Sequence, residues 1–119
     1  MKRRWLWLLL AIAVIDAAVI YRWYRVRGEG RFDAQILRMA QRYEVDPALV
    51  KAVIWLESGF NPAARGRVGE IGLMQVRELT AREWAETEKV RFFFFKDLHD
   101  PEINIRVGAW YLGKLHKRY

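Results

Sequence analysis

Residues 46–59, Asp-Pro-Ala-Leu-Val-Lys-Ala-Val-Ile-Trp-Leu-Glu-Ser-Gly, read as one helix with both of its ends marked. Asp46 carries the side chain of an N-cap, Pro47 suits the first helical position, and Gly59 stands just past the last turn. Between these ends Leu49, Val50, Val53 and Ile54 recur at helical spacing and define an apolar stripe. Glu57 falls on that stripe, so a carboxylate is expected where Leu or Ile would be at home. Partial burial and the negative end of the helix dipole would both favour the protonated carboxyl there. A general acid needs that condition in order to deliver a proton to a leaving oxygen. The other readings of Glu57 are an exposed last-turn residue and the partner of an Arg.

The surrounding residues weigh on this choice. From Leu49 to Val76 the chain reads LVKAVIWLESGFNPAARGRVGEIGLMQV. Glu57-Ser58 closes a helix, Phe60-Asn61-Pro62 turns out of it, a Gly-containing stretch follows, and Gly72-Leu73-Met74-Gln75 is expected to open the next helix. Further on come Asn104-Ile105, Gly108 and Tyr111-Leu112. This ordered set resembles the lytic transglycosylase family whose catalytic domain has a goose-type-lysozyme-like fold.

The resemblance implies cleavage of peptidoglycan glycan strands between N-acetylmuramic acid and N-acetylglucosamine. One Glu, here Glu57, would act first as acid toward the glycosidic oxygen and then as base toward the muramic acid's primary hydroxyl, closing a 1,6-anhydro ring without water. A second carboxylate is then unnecessary, and neither Asp46 nor Glu70 has a clear claim to that role. By position in the motif Ser58 would support the Glu57 region, Met74 and Gln75 would line the sugar cleft, and Asn104 and Tyr111 would join the substrate-binding set. Taken singly, Ser58 also reads as a backbone-bonded helix end, Met74 as core filler and Gln75 as a solvated residue.

The chain departs from the family pattern in two places. The family often carries a small polar residue and an Ala in the loop before Gly-Leu-Met-Gln, where this chain has Arg65-Gly66-Arg67-Val68-Gly69-Glu70-Ile71. In the family a later segment containing Ala-Tyr-Asn-Ala-Gly supplies a Tyr that reaches the catalytic Glu, whereas this sequence stops at Tyr119; Tyr111 is not assigned that role. The expectation is therefore an all-α, partial lysozyme-like transglycosylase domain over residues 32–119, preceded by a linker at 25–31 and an N-terminal segment at 1–24.

That N-terminal segment reads as a transmembrane helix. Lys2, Arg3 and Arg4 precede an apolar stretch from Trp5 to Tyr21 broken only by Asp16. Seventeen helical residues span about 25 Å, just short of the roughly 30 Å hydrocarbon core. Trp5, Trp7, Tyr21, Trp23 and Tyr24 sit at its two ends, as interfacial aromatics do. Asp16 near the bilayer centre would cost about 2 to 3 kcal/mol. A signal peptide cleaved near Ala11-Ile12-Ala13 is the competing reading, and the continued apolar run favours the anchor. Arg22, Arg25 and Arg27 balance the three basic residues before the segment, so charge does not orient it. The resemblance places the domain in the bacterial envelope, anchored to the inner membrane and facing the periplasm or cell wall.

The net charge of +7 is a property of these flanks. Residues 1–27 hold six Lys and Arg against one acid, leaving fifteen against thirteen for residues 28–119. Juxtamembrane charges beside anionic lipid account for this, and no basic element interleaved with aromatics suggests nucleic acid. The absence of Cys excludes a disulfide framework, a thiolate nucleophile or metal site, and a lipidated Cys. His99 and His116 lack metal-ligand spacing and read as surface residues; no metal or cofactor is implied. The expected partners are glycan strands and the membrane, and the oligomeric state is left open.

Helices are expected over about 33–43, with Ile36, Leu37, Ala40 and Tyr43 inward, and over 47–58, 72–88 and 101–118, where Asp100-Pro101 repeats the cap logic of Asp46-Pro47. These ninety-odd residues can bury one modest core. The run Phe92-Phe93-Phe94-Phe95 cannot face one core as a whole, so some of it should be exposed, against a further segment, a membrane surface, or in a strained core. The resemblance leaves three functional readings: a membrane-anchored lytic transglycosylase, a hydrolytic muramidase using the same Glu57, and a truncated glycan-binding domain without activity.

Overall fold

The computed structural model describes residues 2–119, with the side chains of residue 2 and of residues 25–27 outside the description. Five α-helices follow in order: α1 (Lys2–Gly30), α2 (Asp33–Arg42), α3 (Pro47–Ser58), α4 (Glu78–Thr87) and α5 (Pro101–Arg118), with a 3-10 turn at Phe95–His99 before the last. The chain divides into two units, Met1–Arg31 and Phe32–Tyr119.

The first unit is α1, a helix long and apolar enough to cross a membrane. Its 29 residues reach about 43 Å. Every described side chain from Arg3 to Tyr24 is exposed, including Leu8, Ile12, Ile15 and Val19. Such a helix is solvated by lipid far better than by water. The helix runs on to Gly30, through the stretch read from sequence as a linker at 25–31. Lys2, Arg25 and Arg27, counted among the flanking charges, lie outside the described side chains.

In the second unit α5 is the central element, packed against α2, α3, α4 and the 3-10 turn. Ile105, Val107, Ala109 and the small residues Gly108 and Gly113 are buried along it. At Gly113 a Cβ would lie 2.7 Å from the Tyr43 carbonyl oxygen, so the missing side chain is what lets α5 approach the end of α2. Phe32, Ile36, Met39 and Ala40 from the α2 segment, Val50 and Ile54 from α3, and Ala81 and Trp84 from α4 complete the core with Leu73 and Leu98. Leu37, expected inward, is exposed, because Ile36, Met39 and Ala40 already fill that face of a ten-residue helix.

The caps are local chemistry and form as the sequence indicates. The Asp46 carboxylate accepts from the Ala48 N–H at 2.8 Å. Asp100 accepts from Glu102 and Ile103 N–H at 2.9 and 3.3 Å. Gly59 ends α3 at φ 56°, a left-handed value that glycine adopts without a Cβ penalty.

The segment 72–77 is a correction. It is a bridged turn, and α4 begins only at Glu78. Ile71 and Val76 exchange backbone bonds at 3.1 and 3.0 Å, and Gln75 N–H closes a turn on the Gly72 carbonyl at 3.1 Å. Gly72 and Gln75 both hold positive φ, at 81° and 48°, which no helix start can accommodate. Any Cβ on Gly72 would also meet the Leu98 carbonyl oxygen at 2.6 Å.

The aromatic run alternates. Phe92 and Phe94 are 85% and 60% exposed, while Phe93 and Phe95 pack on the core. Phe93 meets Trp84 edge-on with centroids 5.5 Å apart. The expectation that some of the run would be exposed holds.

Candidate active site

The apolar stripe of α3 lies one position away from where the sequence reading drew it. Val50 and Ile54 are buried, Val53 is half-buried, and Leu49 is 47% exposed. The inward line therefore continues to Ser58, not to Glu57. Successive helical residues are separated by about 100°, so Glu57 is turned to the border of the buried face. It is exposed, which corrects the expectation of partial burial, and its carboxylate has no hydrogen bond or ion pair to the described residues.

Glu57 instead opens onto a cleft of about 500 Å³. Val53 and Glu57 of α3 form one wall, Glu70, Met74, Gln75, Val76, Arg77 and Thr80 another, and Gly108, Tyr111 and Leu112 of α5 the third. An unpaired carboxylate beside apolar and amide groups, reachable from solvent, can exchange protons with a ligand.

Ser58 stands behind this wall. Its hydroxyl, with one proton to give, lies 2.7 Å from the Leu73 carbonyl and 3.1 Å from that of Ile54. It ties the end of α3 to the 72–75 turn, in keeping with a supporting place near Glu57, and its bonding goes to backbone carbonyls.

Asn104 is fully buried. Its Oδ1 accepts from the Met74 N–H at 2.8 Å, and Nδ2 donates to the carbonyls of Ile71 and Leu98, each at 2.8 Å. All of this bonding goes to backbone, which corrects the placing of Asn104 among substrate contacts: it is the staple that holds the 71–75 turn against α5. A buried amide with every strong partner supplied is a stable arrangement, and one with any partner lost is costly.

The turn so held presents Met74 and Gln75 to the cleft. Met74 is nearly buried, its sulfur and methyl seated on the bare Cα of Gly108. The Gln75 amide donates to the carbonyls of Ala64 and Gly72 at 3.1 and 2.9 Å, and its oxygen lies beside Gly66. Tyr111 lines the opposite wall and is 38% exposed. The structure thus gathers Glu57, Met74, Gln75 and Tyr111 on one cleft and leaves Ser58 and Asn104 as its supports.

Glu70 joins them, which the sequence reading did not foresee. Its side chain is only 19% exposed, with one oxygen 3.2 Å from the Val68 N–H and the other 3.8 Å from the Arg77 guanidinium. The signal in the sequence was the pairing of Gly66 with Glu70, whose meaning depends on the fold of the intervening turn. His99, read as a surface residue, is half-buried: Nδ1 lies 3.3 Å from the Pro62 carbonyl and Nε2 3.4 Å from Arg65. His116 is exposed as expected.

Residues 35–119 match the family described as "Transglycosylase SLT domain". The chain belongs to that family. It is 33% identical over 86 residues to membrane-bound lytic murein transglycosylase E of Buchnera aphidicola, covering 71% of this chain and 39% of that protein. It is 37% identical over 89 residues to membrane-bound lytic murein transglycosylase F of Desulfosudis oleivorans, covering 75% of this chain and 18% of the relative. An inactive mutant of the lytic transglycosylase Slt from Pseudomonas aeruginosa superimposes with a TM-score of 0.70 at 30% identity, over 75% of this chain and 14% of that one. The all-helical, lysozyme-like domain expected from the sequence is the fold observed. The chain spans less than half the length of these relatives.

Proposed function

We propose that this chain cleaves peptidoglycan glycan strands as a membrane-anchored lytic transglycosylase, with Glu57 as the single acid and base. The observation that carries the reading is the Glu57 carboxylate, unpaired among the described residues at the end of α3 and open to a cleft lined by Met74, Gln75 and Tyr111. Membership of the SLT family and likeness to membrane-bound lytic murein transglycosylases support it.

In the proposed reaction Glu57 gives its proton to the glycosidic oxygen as the bond from the muramic acid C1 breaks. The resulting carboxylate takes the proton of the same sugar's primary hydroxyl, whose oxygen bonds to C1. Glu57 ends as it began, and no water enters the product. An internal hydroxyl already held near C1 needs no translational entropy to be lost at the reacting step. Gln75 and Tyr111 supply the polar contacts that orient the sugar and Met74 an apolar floor. The helix α1 anchors the domain in the inner membrane, facing the peptidoglycan.

Hydrolysis by the same Glu57 would need a group to activate water. Glu70 shares the cleft and is the carboxylate that would have to do so. The masses of the products released from purified peptidoglycan by the full chain in detergent distinguish the two. Muropeptides lighter by one water, with anhydro ends, are expected; reducing ends would move the assignment to a muramidase, and no products would overturn both.

A further inference from the structure

Gly66 and Glu70 are coupled in space. The backbone turns between them, with Gly66 N–H bonded to the Glu70 carbonyl at 2.8 Å and Gly69 N–H to the Gly66 carbonyl at 3.2 Å. This folds the Glu70 side chain back over Gly66, so that a Cβ at residue 66 would fall on the Glu70 carboxylate and 2.9 Å from the Gln75 side-chain oxygen. Only a residue without a side chain leaves that place to the carboxylate.

What the carboxylate does there follows from its bonding. An ionised carboxylate offers about four acceptor positions. Within the protein Glu70 uses one on the Val68 N–H at 3.2 Å and meets Arg77 at 3.8 Å, a separation beyond hydrogen bonding, while Arg77 itself is 70% exposed. A largely covered anion with acceptor capacity left over, on the wall of a cleft that holds Glu57, is a site for donors brought by a ligand.

We propose that Glu70 is a substrate-binding residue of this cleft: its carboxylate accepts hydrogen bonds from the amide N–H and hydroxyl groups of the glycan, in a position kept open by Gly66. The proposal rests on the reading of the cleft as a glycan site. Beside it the Gln75 oxygen adds a second acceptor, so the pair presents a strip complementary to an acetamido sugar, whose N–H and hydroxyls are donors. Arg77, at the outer side of Glu70, holds the carboxylate in place without consuming it. Glu70 therefore contributes to ground-state affinity and not to proton transfer.

The test titrates tetra-N-acetylchitotetraose, a peptide-free oligosaccharide, into the full chain in detergent, and measures turnover of purified peptidoglycan in parallel. Glu70→Ala should weaken binding about tenfold and raise KM, with kcat within about twofold of wild type. Gly66→Ala should reproduce that loss, because its methyl group displaces the carboxylate. The double variant should bind no worse than Glu70→Ala alone, since both changes act through one group. Wild-type affinity in Glu70→Ala, or additive losses in the double variant, would overturn the proposal, as would a wild-type chain that does not bind the oligosaccharide. Should Glu70→Ala lose its helical circular dichroism, Glu70→Gln decides: it keeps an acceptor for Val68 but loses the charge, and wild-type affinity there overturns the proposal. A wild-type chain that binds but releases no products refutes the enzymatic reading while the titration still decides on Glu70.

Discussion

Replacing Asn104 by Ala should loosen the cleft from behind without touching its surface. The substitution removes three hydrogen bonds of 2.8 Å, to Met74 N–H and to the Ile71 and Leu98 carbonyls, at a position with no exposure. Three net contributions of about 1 kcal/mol each are lost. The orphaned Met74 N–H and the two carbonyls then add desolvation penalties, partly relieved if water enters the space left by the amide, for a total of about 3 to 5 kcal/mol. A unit of this size has roughly 4 to 13 kcal/mol to lose, so the loss is a large share of its stability and Tm should fall by about 15 to 30 °C. Near-ultraviolet circular dichroism of the full chain in detergent reads the transition. Hydrogen exchange over 71–76 reads the local effect, which should exceed that anywhere in α2. A Tm within about 5 °C of wild type, or exchange that rises no more at 71–76 than elsewhere, would refute the staple.

Two further outcomes follow from the same packing. Gly108→Ala drives a methyl group into the Met74 sulfur and should cost about 1 to 3 kcal/mol by overpacking, with a matching rise in KM as the floor of the cleft is displaced; unchanged Tm and KM would refute the contact. The Tyr43 phenol is held above its ordinary 10.0, chiefly by burial, with Trp84 opposing and Glu88 adding to the rise. The folded chain thus binds that proton more tightly than the unfolded chain, so the contribution is complete below pH 10 and lost as pH climbs through the folded-state value; denaturant midpoints measured from pH 8 upward should fall in wild type and flatten in Tyr43→Phe.

What the sequence made legible was chemistry between near neighbours. Both ends of α3 are written in Asp46, Pro47 and Gly59, and the start of α5 in Asp100 and Pro101, because caps form within one turn of chain. The turn at 72–77 escaped the reading because its conformation is imposed from a distance. Asn104 lies thirty residues beyond Met74 and bonds its backbone, and nothing local announces that Gln75 will adopt a positive φ.

Glu57 was legible as the singular residue of α3 but not as to its face. Leu49, Val53 and Glu57 form one helical row and Val50, Ile54 and Ser58 the next, and the second is the one the core covers. A helix with apolar residues in both rows does not reveal which is buried until α2 and α5 are in place. Glu70 was passed over for a similar reason: its entry into the cleft depends on the absence of a side chain at Gly66, visible only once the turn is folded.

The central claim is that the exposed carboxylate of Glu57 carries the proton transfers, and the most direct measurement compares wild type with Glu57→Gln, as full chains in detergent, for release of soluble muropeptides from purified peptidoglycan. Gln is close in shape at an exposed position and should leave the fold and Tm unchanged, while removing both acid and base. A fall in kcat of about 10²- to 10⁴-fold with little change in oligosaccharide affinity is the expected result. Turnover by Glu57→Gln within a few-fold of wild type would contradict the account.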